Sequence, residues 1–369
     1  MKVRDDIEAM RLALDLAARG RPSPNPHVGA VVVRDGEIVG RGHHERAGMD
    51  HAEVAAIKDA GPLAKGATVV VTLEPCNHHG RTGPCTEALI EAGVARVVIG
   101  AADPRPHVPG ACEKLRAAGI EVVTGVLEDE AERLIRDFAK HRRTGRPFVT
   151  VKAALSLDGR MATGSGDSKW ITGETARAEA HRLRAESDGV LVGIGTVLAD
   201  DPELTCRLVP GTSPKRFVLD THLRMPFESK LVQTAFDVPL VVLHGPSVDV
   251  EKVHALVEKN VRLVEVPVAE DGRLDLEAAL VAIGRLDVVR LLVEGGASLH
   301  AALLAAREVD RVAAFVAPCL LGGSTTHAFG RSIQAASMQE ALRLEAVEAR
   351  PVGADVLVLG DVPRAWRRA

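Results

Sequence analysis

The chain has 369 residues, of which 46% are hydrophobic and 26% charged, and its formal net charge is −4. Such a composition is typical of a globular protein, and at roughly 100–200 residues per domain the length predicts two domains. The slightly acidic balance and the absence of tyrosine disfavour a dedicated nucleic-acid binder. The start of the chain lacks the apolar core of a signal peptide, and no apolar run approaches the ~18 residues of a membrane helix. Five cysteines, an odd number, favour reduced thiols, so we expect a cytoplasmic protein.

In the first half of the chain, apolar periodicity predicts strands that alternate with helices. Asp35-Gly36 between two apolar runs is a strong hairpin signal. The alternation indicates a layered α/β domain. The predicted helices are 7–17, 51–59, 86–92, 111–118 and 128–140, and the predicted strands are 29–33, 37–40, 67–72, 96–101 and 120–123.

The segment HRRTGRP, residues 141–147, interrupts this rhythm with charge, glycine and proline. We interpret it as a solvated linker between domains 1–146 and 147–369, although its arginines could instead contact a phosphate. The second domain again has an α/β pattern. Its predicted strands are 148–157, 189–194, 216–220, 240–244, 261–266 and 288–294, and its clearest predicted helices are 175–186 and 297–306.

Three residues of metal-ligand types occur in the first domain at informative spacing. His51 opens the triplet H-A-E, Cys76 follows a proline, and Cys85 comes after eight further residues. One histidine and two thiolates are good zinc ligands, and three protein ligands leave the fourth position open, as in catalytic zinc sites. Glu53, two residues after His51, can carry protons without binding the metal. The ligand set alone does not exclude iron.

Two other interpretations of these residues are open at this point. His51 could cap a helix while the cysteines pack as small apolar residues, or His78 or His79 could complete a four-ligand structural zinc site. The context favours a catalytic site, because Cys76 follows a predicted strand and Cys85 begins a predicted helix, whose positive end favours a thiolate.

The runs PNPHVGAVVV, GRGHHERAG, HAEV and TLEPCNHHGRTGPC resemble the deaminase domain of the bifunctional riboflavin-biosynthesis deaminase/reductase family. That family has the long gap between the cysteines, whereas tRNA adenosine and cytosine deaminases typically have two residues there. Gly83 departs from the family's usual proline and affects only the expected rigidity of the loop. The resemblance implies a cytidine-deaminase-like three-layer α/β/α domain. It also implies zinc ligation by His51, Cys76 and Cys85, proton transfer by Glu53, and substrate contacts at Asn25, His44 and Arg81.

The second domain carries weaker signals of its own. Gly193 and Gly195 follow a predicted strand but lack the last glycine of a Rossmann fingerprint. The glycine pair after Glu294 precedes a predicted helix, so it could bind phosphate or only form a tight turn. Arg177, His181 and Arg184 share one helical face, which could position a phosphorylated substrate or face solvent, as we expect for Arg177.

The runs VTVKAALSLDGRMATGSGDSKWIT, LRAESDGVLVGIGTVLADDPELTCR and VEGG look like the reductase domain of the same family. The resemblance implies a dihydrofolate-reductase-like α/β fold that uses NADPH, and the preference for NADPH over NADH depends on it alone. The implied substrate contacts are Ser168, Arg184, Leu204, Arg207 and Glu294. The implied cofactor contacts are Ala154, Trp170, Thr196, Asp200, Thr221 and Gly296.

Lys152 alternates with apolar residues on a predicted strand, where a lysine is costly to bury without a partner. We predict that it faces the cofactor pocket and assists hydride transfer to the ring-opened sugar. The alternative is a surface lysine whose head group reaches solvent.

The combined prediction is a bifunctional enzyme with one Zn²⁺ and NADPH as cofactors. It would deaminate 2,5-diamino-6-(5-phosphoribosylamino)pyrimidin-4(3H)-one and then reduce the ribosyl group to give 5-amino-6-(5-phosphoribitylamino)uracil. The alternatives are a nucleic-acid base deaminase with an appended domain and a non-enzymatic zinc- and nucleotide-binding module. Its partners would be a small phosphorylated pyrimidine and, by resemblance, further copies of the chain in a dimer or tetramer. Neither nucleic acid nor membrane is expected.

Overall fold

The computed structural model describes residues 1–78, 83–105, 110–323 and 327–367. The chain divides into two compact units, Met1–Gly145 and Arg146–Ala369. The boundary expected from the sequence lies one residue from this division.

The first unit is built on a five-stranded sheet with the order β2-β1-β3-β4-β5. β1 is antiparallel to β2 and β3, whereas β3, β4 and β5 are mutually parallel. The strands are β1 Gly29–Arg34, β2 Glu37–His43, β3 Thr68–Leu73, β4 Arg96–Ala101 and β5 Glu121–Thr124. The helices are α1 Asp6–Ala17, α2 Ala52–Ala60, α3 Cys85–Glu91, α4 Ala111–Ala117 and α5 Glu128–Thr144, with a 3-10 helix at Gly61–Ala64.

Different helices cover the two faces of this sheet, which gives three layers. Val31 of β1 packs in a cluster with Met10 of α1, whereas the next residue, Val32, packs in a cluster with Ala56 of α2. Successive side chains of a strand point to opposite faces, so both faces of β1 are buried. The three-layer α/β/α arrangement expected from the sequence is confirmed.

The second unit is built on a nine-stranded sheet with the order β10-β9-β8-β7-β11-β6-β12-β14-β13. Strands β6 to β12 are parallel, and β14 is antiparallel to both β12 and β13. The strands are β6 Phe148–Ser156, β7 Gly189–Gly193, β8 Lys215–Leu219, β9 Leu240–His244, β10 Val261–Glu265, β11 Arg290–Val293, β12 Arg311–Ala317, β13 Glu345–Val352 and β14 Asp355–Asp361. The helices are α6 Glu174–Ala185, α7 Ile194–Asp200, α8 Lys230–Gln233, α9 Val250–Glu258, α10 Leu276–Gly284 and α11 Ala297–Ala305.

The segment 141–147 is not the solvated linker that its composition predicts. Residues 141–144 continue α5, and Gly145 ends that helix in the left-handed region with φ 69°. Arg146 is only 3% exposed, and its guanidinium donates to the Glu308 carboxylate at 2.6 Å. The linker interpretation failed because the partner of Arg146 lies far away in the sequence. Within the described ranges, no helix is long and apolar enough to cross a membrane.

Candidate active sites

The first candidate site forms where α2 lies across β2. A Cβ atom at Gly42 would lie 2.2 Å from the carbonyl oxygen of Ala52, so the glycine allows the helix to contact the strand directly. His51 occupies the N-cap position of α2, but its side chain makes no capping hydrogen bond. Capping therefore does not explain this histidine. Glu53, in the first turn, is 3% exposed.

The three expected zinc ligands lie within 4.8 Å of one another. His51 Nδ1 is 3.1 Å from Cys85 Sγ and 3.5 Å from Cys76 Sγ, and the two sulfur atoms are 3.4 Å apart. Cys85 is the first residue of α3, and its backbone N–H donates to Cys76 Sγ at 3.3 Å. One imidazole and two thiols converging in this way fit zinc with an open fourth position.

Hydrogen bonding distributes the protons of this group unevenly. The contact from Cys85 lowers the pKa of Cys76 to about 4, whereas the same contact and burial raise the pKa of Cys85. The hydrogen bond with Cys76 raises the pKa of His51, and burial raises the pKa of Glu53. Since metal ligands must be deprotonated, zinc binding here releases protons.

Asn25 and His44, two expected substrate contacts, bind each other beside the ligand group. His44 Nδ1 lies 2.9 Å from the carbonyl oxygen of Asp50, so Nδ1 must carry the proton. Nε2 then accepts from the Asn25 side-chain amide at 3.0 Å. Burial lowers the pKa of His44, which favours this neutral form, and its ring packs edge-on against His51 at 5.2 Å. His44 thereby fixes the orientation of the Asn25 amide.

His78, one candidate for a fourth metal ligand, lies outside the metal-ligand group found among the described residues. Its Nε2 lies 3.1 Å from the guanidinium of Arg105, which also pairs with Asp103. His79 and Arg81 lie outside the described residues. Arg105 was not expected from the sequence, because no motif links it to the distant histidine.

The second candidate site follows the carboxyl ends of adjacent parallel strands, where open α/β sheets bind their ligands. Thr196 lies in the first turn of α7 after β7, and Thr221 lies just after β8. Gly296 is the N-cap of α11, just after β11. Ala154 lies on the neighbouring β6. Four expected cofactor positions therefore share one region of the sheet.

An ion cluster at this region joins α6, β6 and the residue that follows β11. Arg184 of α6 donates to both Glu294 oxygens at 2.5 and 3.0 Å, and Lys152 Nζ of β6 lies 3.6 Å from Glu294. Burial acts to raise the pKa of Glu294, but the charges of Arg184 and Lys152 outweigh it and lower this pKa to about 2. Burial lowers the pKa of Lys152. Lys152 is therefore buried and paired with Glu294, so it is not a surface lysine whose head group reaches solvent.

Trp170 and Asp200, two further cofactor candidates, have basic neighbours. The Arg177 guanidinium stacks over the Trp170 ring at 4.6 Å, although Trp170 is 70% exposed. Arg177 is partly exposed at the surface, with 28% of its side chain accessible, but the Trp170 ring supplies a partner that the helical pattern does not show. Lys169 pairs with Asp200 at 3.4 Å. Ser168 is partly exposed in the same loop.

Leu204 and Arg207, expected substrate contacts, differ in exposure. The Leu204 side chain is 3% exposed and packs in an apolar cluster, so only its backbone is available to a ligand. The Arg207 side chain is half exposed and pairs with Glu203 at 3.6 Å. Arg207 can therefore reorient toward an anion.

Comparison with known proteins supports the division into two catalytic domains. Residues 3–101 match the family described as the cytidine and deoxycytidylate deaminase zinc-binding region, and residues 147–358 match the RibD C-terminal domain. These matches identify the zinc site and the reductase fold as parts of known families.

Curated relatives are similar to this chain over most of its length. The riboflavin biosynthesis protein RibD of Aquifex aeolicus is 42% identical over 357 residues, covering 96% of this chain and 97% of its own length. The Escherichia coli RibD protein is 44% identical over 329 residues, covering 85% and 88%. Such coverage disfavours an isolated binding module.

Two solved structures share the complete fold. Acinetobacter baumannii RibD, form 1, has a TM-score of 0.86 and 37% identity, covering 97% of this chain and 99% of the other. A Thermotoga maritima diaminohydroxyphosphoribosylaminopyrimidine deaminase/5-amino-6-(5-phosphoribosylamino)uracil reductase has a TM-score of 0.83 and 35% identity, with the same coverage of both chains. The chain thus belongs to the RibD family of bifunctional, zinc- and NADPH-dependent deaminase/reductases of riboflavin biosynthesis.

Proposed function

We propose that the first unit deaminates 2,5-diamino-6-(5-phosphoribosylamino)pyrimidin-4(3H)-one and that the second unit reduces the product to 5-amino-6-(5-phosphoribitylamino)uracil. The observation that carries this proposal is the convergence of His51, Cys76 and Cys85 beside the buried Glu53. The name of the Thermotoga maritima protein supplies the substrate class.

In the deaminase step, an exocyclic amine leaves as ammonia and a carbonyl oxygen derived from water replaces it. His51, Cys76 and Cys85 would hold zinc, which would lower the pKa of a bound water toward 7. Glu53 accepts a proton from the nucleophile and delivers it to the departing nitrogen through its carboxyl oxygens. The Asn25 amide, oriented by His44, binds the pyrimidine edge, and Arg81 binds the phosphate.

In the reductase step, the ring-opened sugar carbon gains a hydride and the product gains a proton. NADPH supplies the hydride when bound. Lys152 donates the proton through Nζ, and the Glu294 carboxylate, 3.6 Å from Nζ, supports this proposal by pairing with the ammonium. Ser168, Arg184, Leu204 and Arg207 bind the substrate. Ala154, Trp170, Thr196, Asp200, Thr221 and Gly296 bind the cofactor.

Mass spectrometry of the diaminopyrimidinone ribosyl phosphate, incubated with zinc-loaded protein, tests both reactions. Without NADPH we expect replacement of one amine by oxygen, and with NADPH a further gain of two hydrogens. Persistence of the amine would overturn the deaminase assignment. Deamination without subsequent hydrogen gain would overturn the reductase assignment alone.

We also propose that the protein is a cytoplasmic homo-oligomer, a dimer or tetramer assembled through the second unit. β13 lies at the edge of its sheet, and Val347 on this strand is 56% exposed. None of the five cysteines forms a disulfide, which is consistent with a reducing compartment. Sedimentation at micromolar concentration should give a multiple of the chain mass, and cell fractionation should place the protein with cytosolic markers.

A further inference from the structure

The substrate loop, residues 201–207, has no helix or strand of its own, so side chains from other elements must fix its backbone. It carries Leu204 and Arg207, both assigned to the substrate above. The backbone N–H of Arg207 donates to His181 Nδ1 of α6 at 3.0 Å. His181 is 5% exposed and has no role in the reaction as described so far.

The direction of this hydrogen bond defines which nitrogen of the His181 ring carries the proton. A backbone N–H can only donate, so Nδ1 must be unprotonated, and the neutral ring carries its proton on Nε2. The N–H of Leu208 points at the same nitrogen from 3.5 Å, which reinforces its role as an acceptor. Nε2 lies 3.4 Å from the Arg184 guanidinium, which also can only donate, so this longer contact is not a hydrogen bond.

The surroundings of His181 maintain the neutral form. Burial is the largest influence and lowers its pKa to about 4. The positive charges of Arg184 on α6, Arg207 in the substrate loop and Lys152 on β6 act in the same direction, and Glu294 after β11 opposes them. Nδ1 therefore remains an acceptor throughout the neutral pH range.

A second hydrogen bond ties the same loop to the same helix. Arg184 donates to the carbonyl oxygen of Thr205 at 3.0 Å while it holds Glu294. The helix therefore sets the position of the substrate loop relative to the Lys152–Glu294 pair through two side chains three residues apart.

We propose that neutral His181 is a positioning residue of the reductase site, which fixes the backbone at Arg207 so that this side chain meets the phosphorylated substrate. The proposal rests on the function proposed above, in which Arg207 binds that substrate.

Paired amide substitutions in the full-length protein test this role. Asn at position 181 places its oxygen near the Nδ1 position, whereas Gln places its polar atoms near the Nε2 position. We expect His181→Asn to remain within about 3-fold of wild type, because its oxygen can accept the same bond. His181→Gln and His181→Ala should raise KM for the deaminated intermediate by about 10-fold or more, with kcat and KM for NADPH changed by less than about 3-fold. His254→Asn, on the exposed face of α9, is the control.

Each outcome decides the proposal. Equal behaviour of the Asn and Gln variants, rescue by Gln alone, or a loss confined to kcat would overturn it. If tryptophan fluorescence shows that the second unit is unfolded in both His181→Asn and His181→Gln, the role of His181 is purely structural. That result would also overturn the proposal. Failure of wild-type protein to reduce the intermediate would instead overturn the proposed function.

A double-mutant cycle gives an independent readout. If His181 acts through Arg207, His181→Ala and Arg207→Ala together should raise KM little more than Arg207→Ala alone. Multiplication of the two single effects would contradict the proposal.

Discussion

Each of the two units buries one glutamate at its candidate site, and the two carboxyls are tuned in opposite directions. Burial raises the pKa of Glu53, whereas Arg184 and Lys152 overcome burial and lower the pKa of Glu294 to about 2. The first environment suits a group that gains and loses a proton, and the second suits a permanent charge. In the proposed function, the same side chain therefore carries protons in one unit and holds cations in the other.

The substitution with the largest expected effect should abolish the activity of the first unit and leave that of the second unit intact. Cys85→Ser removes a thiolate ligand and should abolish zinc binding and deamination, since serine is a poor zinc ligand. Reduction of supplied deaminated intermediate should persist at the wild-type rate. Metal content and the two activities measure this, with Cys112→Ser as control, because Cys112 lies outside the metal-ligand group. Loss of both activities in Cys85→Ser would show that the units are not independent.

Glu53→Gln tests proton transfer without disturbing the metal ligands. Glutamine has a similar shape but cannot carry the proton, so deamination should fall by roughly 10²–10⁴-fold while zinc content and reduction remain unchanged. Glu91→Gln, exposed at the end of α3, serves as the control. Retained deamination would remove Glu53 from the mechanism.

Lys152→Met makes the matching test in the second unit. Methionine keeps most of the volume of lysine but removes the ammonium, so kcat for reduction should fall by about 10²-fold with deamination intact. Lys259, the C-cap residue of α9, lies outside the candidate site, and Lys259→Met controls for lysine removal. Unchanged reduction by Lys152→Met would exclude a role in catalysis.

The charge of Glu294 predicts a pH dependence of stability in the second unit. Its folded pKa of about 2 lies below the ordinary value of 4.5, so the carboxylate stabilises the fold above pH 4.5. This contribution is lost as the pH falls from 4.5 toward 2. The difference in free energy of unfolding between wild type and Glu294→Gln should therefore shrink by about 3 kcal/mol over that range.

Urea unfolding followed by tryptophan fluorescence measures this change, because Trp170 and Trp366 both lie in the second unit. A difference between wild type and Glu294→Gln that stays constant with pH would contradict the electrostatic role of Glu294.

The sequence predicted the parts of the fold that depend on local patterns. Most strands and helices up to α6 lie within two residues of their predicted bounds, because hydrophobic alternation and turn residues act over short distances. β12, β13 and β14 were not predicted. β13 is an edge strand whose residues are mostly exposed, so it lacks the apolar alternation that marks a half-buried strand.

The candidate sites also combine features that the sequence predicts with features that only the fold creates. The ligand positions His51, Cys76 and Cys85 follow from spacing and family resemblance, and the structure brings them together. The pairing of Lys152 with Glu294 could not be derived from spacing, because β6 and β11 become neighbours only through the sheet order. The acceptor role of His181 could not be predicted from the sequence either, because its donor is the backbone N–H of Arg207, which only the fold brings close.

In the proposed function, each unit carries one complete reaction. Mixing Cys85→Ser protein with Lys152→Met protein, then adding zinc, NADPH and the diaminopyrimidinone ribosyl phosphate, tests this independence. Mass spectrometry should detect the ribityl product in the mixture, because the second variant deaminates and the first reduces. Neither variant alone should form it. Absence of the ribityl product from the mixture would contradict the division of labour between the two units.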